Sequence, residues 1–172
     1  MDRILCGTLA LLSISAAVAT AGGKSQRGAA AYAVQVVPFQ VQQGVDLPGE
    51  YVDAITNDLV SQLGKSGLFL QVLRPGEKAS GGAPLLQLTG TVVGFRKGNR
   101  AVRVIGGLAA GLAGRTQINA HIKFIDTATQ QVKMERDVAG VWTGGGKSVT
   151  ATLVLAKQVT KTAKKELQGE SK

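Results

Sequence analysis

RTQINAHIKFIDTATQQVKMERDVAGVW, residues 115–142, is the stretch that decides the fold class. Its first half alternates. Ile118, Ala120, Ile122 and Phe124 fall on one side of an extended chain; Asn119, His121, Lys123 and Ile125 fall on the other. Period-two alternation marks a strand with one buried face. Residues 127–130 form a polar turn. Val132, Met134, Arg136 and Val138 then alternate against Lys133, Glu135 and Asp137. Two such runs joined by a short turn predict an antiparallel hairpin.

Working upstream, residues 85–95 (LLQLTGTVVGF) predict another strand, with Gly90 and Gly94 as bulge positions. Residues 31–40 predict a buried strand that ends near Pro38, because proline cannot donate to a ladder. Residues 68–73 predict a third, and residues 74–84, rich in Pro and Gly, a loop. Residues 50–63 repeat apolar side chains at helical spacing. Val52, Ile55, Leu59 and Leu63 carry the repeat, with Tyr51 and Val60 beside them, and Gly64 and Gly67 mark its stop. Downstream, residues 150–167 predict a closing helix capped by Ser148. Its expected core stripe is Leu153, Ala156, Thr160, Ala163 and Leu167, with Lys157, Lys161, Lys164 and Lys165 lying away from it.

The order is β-α-β-β-β-β-α. Two amphipathic helices on one face of a four- to five-stranded, mainly antiparallel sheet bury all of these faces at once. The expected fold is therefore an α+β two-layer sandwich, one domain over residues 31–168, with a frayed tail at 169–172.

The chain has 172 residues, the size of one domain. Apolar residues are 44% of it, enough for a core, which excludes disorder along its whole length. Aromatics are only 4%, so aliphatic side chains must fill that core. The net charge of +9 points to an anionic partner: lipid head groups, acidic polysaccharide, nucleic acid or an acidic protein.

Residues 1–21, MDRILCGTLALLSISAAVATA, have the pattern of a cleavable signal peptide. Arg3 precedes an apolar run, and Ala19 and Ala21 supply the small residues of a cleavage site. Removal takes one acid and one base, so the charge stays at +9. Residues 22–30 form a flexible leader. The expected address is the periplasm or the exterior of a Gram-negative envelope. Cys6 is the sole cysteine, and only five residues precede it. Lipidation there is not expected, because a lipidated cysteine needs a complete apolar segment before it.

Residues 98–132, GNRAVRVIGGLAAGLAGRTQINAHIKFIDTATQQV, carry a family likeness. The segment resembles a family of short bacterial exported proteins and lipoproteins known as a domain of unknown function. Its hallmark is a GNRA-hydrophobic-R segment, a Gly/Ala run, then an alternating strand and a hairpin turn. The matching residues are Gly98, Asn99, Arg100, Ala101, Arg103, Gly106, Gly107, Gly111, Gly114 and Asp126. The turn DTATQQ lacks the glycine of the family pattern. The early V-V-P-F strand followed by a helix is also similar to the periplasmic domain of the curli-secretion lipoprotein. The resemblance implies export and transfers no catalytic residues.

Little in the chain points to catalysis. His121 is the only histidine, with Asp126 and Glu135 the nearest carboxylates across the hairpin, and it is read as an ordinary strand residue. No serine lies in a G-x-S-x-G elbow. GGGKS, residues 144–148, is similar to the end of a phosphate loop, but Val141 stands where the first glycine belongs. Gly146, Lys147 and Ser148 are retained as an anion-binding alternative at a helix start.

The lead candidate is the densest basic segment: Arg96, Lys97, Arg100 and Arg103, then Gly106, Gly107 and Gly111 in the Gly/Ala run, then Arg115. Small residues let another surface approach closely. The expectation is a non-enzymatic envelope protein that uses residues 96–115 to meet a partner protein or an anionic membrane surface, or to self-associate. The alternative is a small-ligand or anion binder using residues 144–148. No cofactor, metal or nucleic acid is expected.

Overall fold

The computed structural model describes residues 32–98, 114–143 and 149–169. They form one mixed sheet with two helices on one face. The strands are β1 (Ala33–Val36), β2 (Gln40–Val41), β3 (Gln71–Leu73), β4 (Leu85–Arg96), β5 (Thr116–Asp126) and β6 (Val132–Trp142). The helices are α1 (Gly49–Ser66), between β2 and β3, and α2 (Thr150–Gly169), after β6. The sheet order is β3-β1-β4-β5-β6, with β2 also on β4. The α+β two-layer architecture is the expected one. The sheet has six strands rather than four or five, and one half of it is parallel: β3 and β4 both run parallel to β1. The extra strand arises because Pro38 interrupts the first one, and the chain then resumes beside β4 as β2.

Alternation builds the inner face as predicted. Ile118, Ala120, Ile122 and Phe124 are buried with Val34, Val36, Leu86 and Leu88 under Ile55, Leu59 and Leu63 of α1. Phe69 stacks on Phe124 with ring centroids 5.9 Å apart. Residues 68–70 lead into β3 rather than belonging to it, because Leu68 and Phe69 turn into the core. Gly67, at φ 64°, ends α1 in the left-handed conformation that glycine adopts without strain.

Four side-chain assignments change. Tyr51, not Val52, takes the first core position of α1. In α2 the buried stripe is Ala151, Thr152, Leu155, Ala156, Val159 and Ala163; Leu153 is only half-buried. The helix is rotated from the expected stripe, which buries Thr152 with its hydroxyl 2.6 Å from Asp58 Oδ2 of α1 and from the Val149 carbonyl. Gly90 is not a bulge: it pairs regularly with Ile122, and the Phe39 ring fills the space a side chain would need. The irregularity falls between Val92 and Gly94. Finally, Val132 does not share a face with Met134. The β5–β6 register shifts between Phe124 and Ile125, so Val132 opposes Ile125 and is 49% exposed.

The hairpin turn replaces the family's glycine with two devices. Asp126 Oδ1 accepts from the backbone N–H of Ala128 (2.9 Å) and Thr129 (3.1 Å), which holds its carboxyl below the ordinary carboxylate range. Gln130 takes the left-handed position itself, at φ 58°.

Candidate functional site

Strand direction places the predicted basic residues. β4 ends where β5 begins, and β6 ends there too: Arg96 pairs with Gln117, and Thr116 with Trp142. Both helices start near this end, since α1 follows β2 and α2 follows β6. Tyr51, in the first turn of α1, packs edge-on against Phe95 at 4.9 Å. Helix N-termini carry partial positive charge, offset at α1 by Glu50 in its first turn. The structure therefore gathers Arg96, Lys97 and Arg115 at one pole of the sheet, Arg96 and Lys97 exposed and Arg115 half-buried.

The pole has a narrow neck. Gly98 is buried and donates to Thr116 Oγ1 at 3.2 Å. A side chain at Gly98 would strike the carbonyl of Gly114. Gly98 and Gly114 thus meet closely beside Thr116, with Arg96, Lys97 and Arg115 next to them in sequence. Arg100, Arg103, Gly106, Gly107 and Gly111 lie outside the described residues, as do Gly146, Lys147, Ser148 and Cys6. On either side of residues 144–148, Thr143 follows the end of β6 and Val149 precedes α2. Arg115 Nε and Trp142 Nε1 are buried there without a hydrogen-bond partner among the described residues. Buried donors of that kind call for an acceptor.

A second cluster lies on the sheet face that the helices leave uncovered. His121 donates from Nδ1 to Asp137 Oδ1 and from Nε2 to Glu135 Oε1 when protonated, both at 2.8 Å. Lys123 Nζ meets the same Glu135 oxygen at 3.0 Å. The hydrogen bond to Asp137, then that to Glu135, raises the His121 pKa above its ordinary value; Lys123 and His121 lower that of Glu135. With a carboxylate on each nitrogen, the protonated form of the ring is favoured. Beside it, a depression of about 280 Å³ is lined by Val37, Pro38, Gln40, Thr89, Thr91, His121 and Lys123. Among the described residues no group of His, Cys, Asp and Glu is arranged to hold a metal ion.

Sequence reasoning named Glu135 and missed Asp137. Asp126 sits at the other end of the hairpin, held by its own turn. The cause is the bulge. Continuing the Ile125–Val132 pairing without a shift would oppose His121 to Arg136; the one-residue shift opposes it to Asp137 and sets Lys123 opposite Glu135. The shifted register also keeps Met134 and Val138 on the buried face, opposite Phe124 and Ala120, and sets opposite charges across the hairpin on the other face.

A family model described as a domain of unknown function, DUF4410, matches residues 33–167. The chain belongs to this family. The DUF4410 match runs from the start of β1 into the last turn of α2. A search of curated proteins returns no match. Among solved structures, the DUF4410 fold described above is similar to protein XCC0632 from Xanthomonas campestris, of family DUF330. The identity is 15%, over 85% of this chain and 90% of that one, with a TM-score of 0.54. It is also similar to the PelC dodecamer from Paraburkholderia phytofirmans, at 20% identity over 78% and 86% of the two chains, with a TM-score of 0.52. A lipoprotein, GNA1162 from Neisseria meningitidis, shows a weaker likeness: 12% identity, 77% and 98% covered, TM-score 0.45. No helix among the described residues is long and apolar enough to cross a membrane.

Proposed function

We propose that this DUF4410 chain is an exported, non-enzymatic envelope protein that docks through its basic pole. The partner is an anionic membrane surface or an acidic face of an envelope protein. The observation that carries the reading is the neck at Gly98 and Thr116. It brings the end of β4 against the start of β5, so that Arg96, Lys97 and Arg115 share one end of the sheet. Cations grouped at one end of a rigid sheet attract an anionic surface more effectively than the same cations dispersed. Export rests on the signal pattern of residues 1–21. The similar P. phytofirmans protein is a dodecamer, so the assembly state of this chain belongs in the same experiment.

The test is co-sedimentation with phosphatidylglycerol vesicles and with neutral vesicles, alongside light scattering. The reading expects binding to the anionic vesicles, or formation of a defined oligomer, that salt weakens and that Arg96→Ala/Lys97→Ala and Arg100→Ala/Arg103→Ala reduce. A monomer that ignores both vesicle types and stays monomeric would overturn it.

A further inference from the structure

The second helix carries a charge pattern that the pole does not use. Lys157, Lys161, Lys164 and Lys165 are all exposed, and none is ion-paired to a described residue. At 100° per residue these four fall within an arc of about 100° and extend over about 12 Å of helix. The buried residues Leu155, Val159 and Ala163 lie on the opposite side. Glu166, the acid within the same two turns, points away and is held by Arg136 Nε at 2.8 Å. The outer ridge of α2 is therefore a band of four lysines without an ion pair among the described residues, Lys157, Lys161 and Lys164 about one helical turn apart and Lys165 beside the last.

We infer that this ridge is a docking surface for a linear acidic polysaccharide. The shape of the charge selects the occupant. A membrane meets a plane, and the neighbouring helix in that plane, α1, exposes the acids Glu50 and Asp53 and a single lysine, Lys65, in its last turn. A helix that lies in a bilayer surface also presents apolar side chains beside its cations. Among the described residues the exposed large apolar side chains are Val41, Leu70, Val93 and Val132, and none is on α2. Single-stranded nucleic acid needs aromatic platforms for stacking, and the ridge has none. A polyuronate chain carries regularly spaced carboxylates on a flexible line, and it fits a row of ammonium groups without an apolar anchor or a stacking ring.

The experiment is calorimetric titration of the protein with sodium alginate, with neutral dextran and phosphatidylglycerol vesicles as the other arms. The inference expects saturable, salt-sensitive binding of alginate and none of dextran. Lys157→Gln/Lys161→Gln weakens it about fivefold and the quadruple Gln variant about thirtyfold, as additive exposed ion pairs give. Lys157→Arg/Lys161→Arg retains it. Lys78→Gln/Lys133→Gln, which removes the same charge elsewhere, changes it less than twofold. Gln matches Lys in helix propensity, so far-UV circular dichroism should show unchanged folding. No alginate binding, equal loss in the Lys78/Lys133 pair, or ridge-dependent binding to vesicles in place of alginate would each overturn the inference. Failure of the pole reading is separate: it shows in the Arg96/Lys97 variant on vesicles, which leaves the ridge intact.

Discussion

The two faces of β5 are built from the same eleven residues and obey different physics. On the inner face, Ile118, Ala120, Ile122 and Phe124 are buried and bounded by packed side chains. On the outer face, Asn119, His121 and Lys123 are half-exposed and make hydrogen bonds that solvent shares. Stability should reside in the first face and responsiveness in the second. The sharpest way to break that division is Phe124→Ala. The ring is fully buried and stacked on Phe69, so its loss should cost about 3–5 kcal/mol in chemical denaturation. A cost under about 1 kcal/mol would mean that the inner face is loosely packed.

The inner face was legible because burial imposes period two or 3.6 on apolar residues, and those periods survive in the letters. Tyr51 was set beside the stripe of α1, and Leu155 and Val159 were left out of that of α2, because the period of a helix fixes the spacing of its buried positions but not its rotation against its neighbours, where Thr152 meets Asp58. The pole was legible only as a run of cations. That Arg96 and Arg115, nineteen positions apart, share one end of the sheet follows from strand pairing, which no local pattern contains. The outer cluster was hardest, because a single bulged residue at the turn selects which carboxylates meet His121.

Two glycines on β4 sharpen the contrast at smaller energies. Both were expected to be bulge positions. Gly90 faces inward, and the Phe39 ring occupies the volume a methyl group would take. Phe39 is itself buried and cannot step aside. Gly94 pairs with Asn119 on the outer face, and the nearest atom to a new methyl group is the Asn119 amide nitrogen at 3.2 Å, the end of a side chain rather than a packed ring. Gly90→Ala should cost about 1–3 kcal/mol through overpacking, while Gly94→Ala should stay within about 0.5 kcal/mol. Equal costs in paired thermal melts would erase the distinction between the faces.

The smallest effect is the one that identifies the outer face as responsive. His121 has its pKa raised above 6.5 by Asp137 and then by Glu135, so its pairing contributes fully below about pH 6.5 and is lost as pH rises through the raised value. Glu135 has its pKa lowered from 4.5 by Lys123 and His121, so its share is present above about pH 4.5 and is lost as pH falls through the lowered value. The cluster is therefore at full strength between about 4.5 and 6.5. Relative to His121→Gln, the native protein should show its largest advantage in Tm near pH 5.5, shrinking steadily toward pH 8.5. Salt should diminish it, since the imidazole is 32% exposed and its partners more so. Melts of the two proteins at matched pH would read this directly. An advantage that is flat across the range, or that grows on the alkaline side, would show that the two carboxylates do not hold the proton on His121.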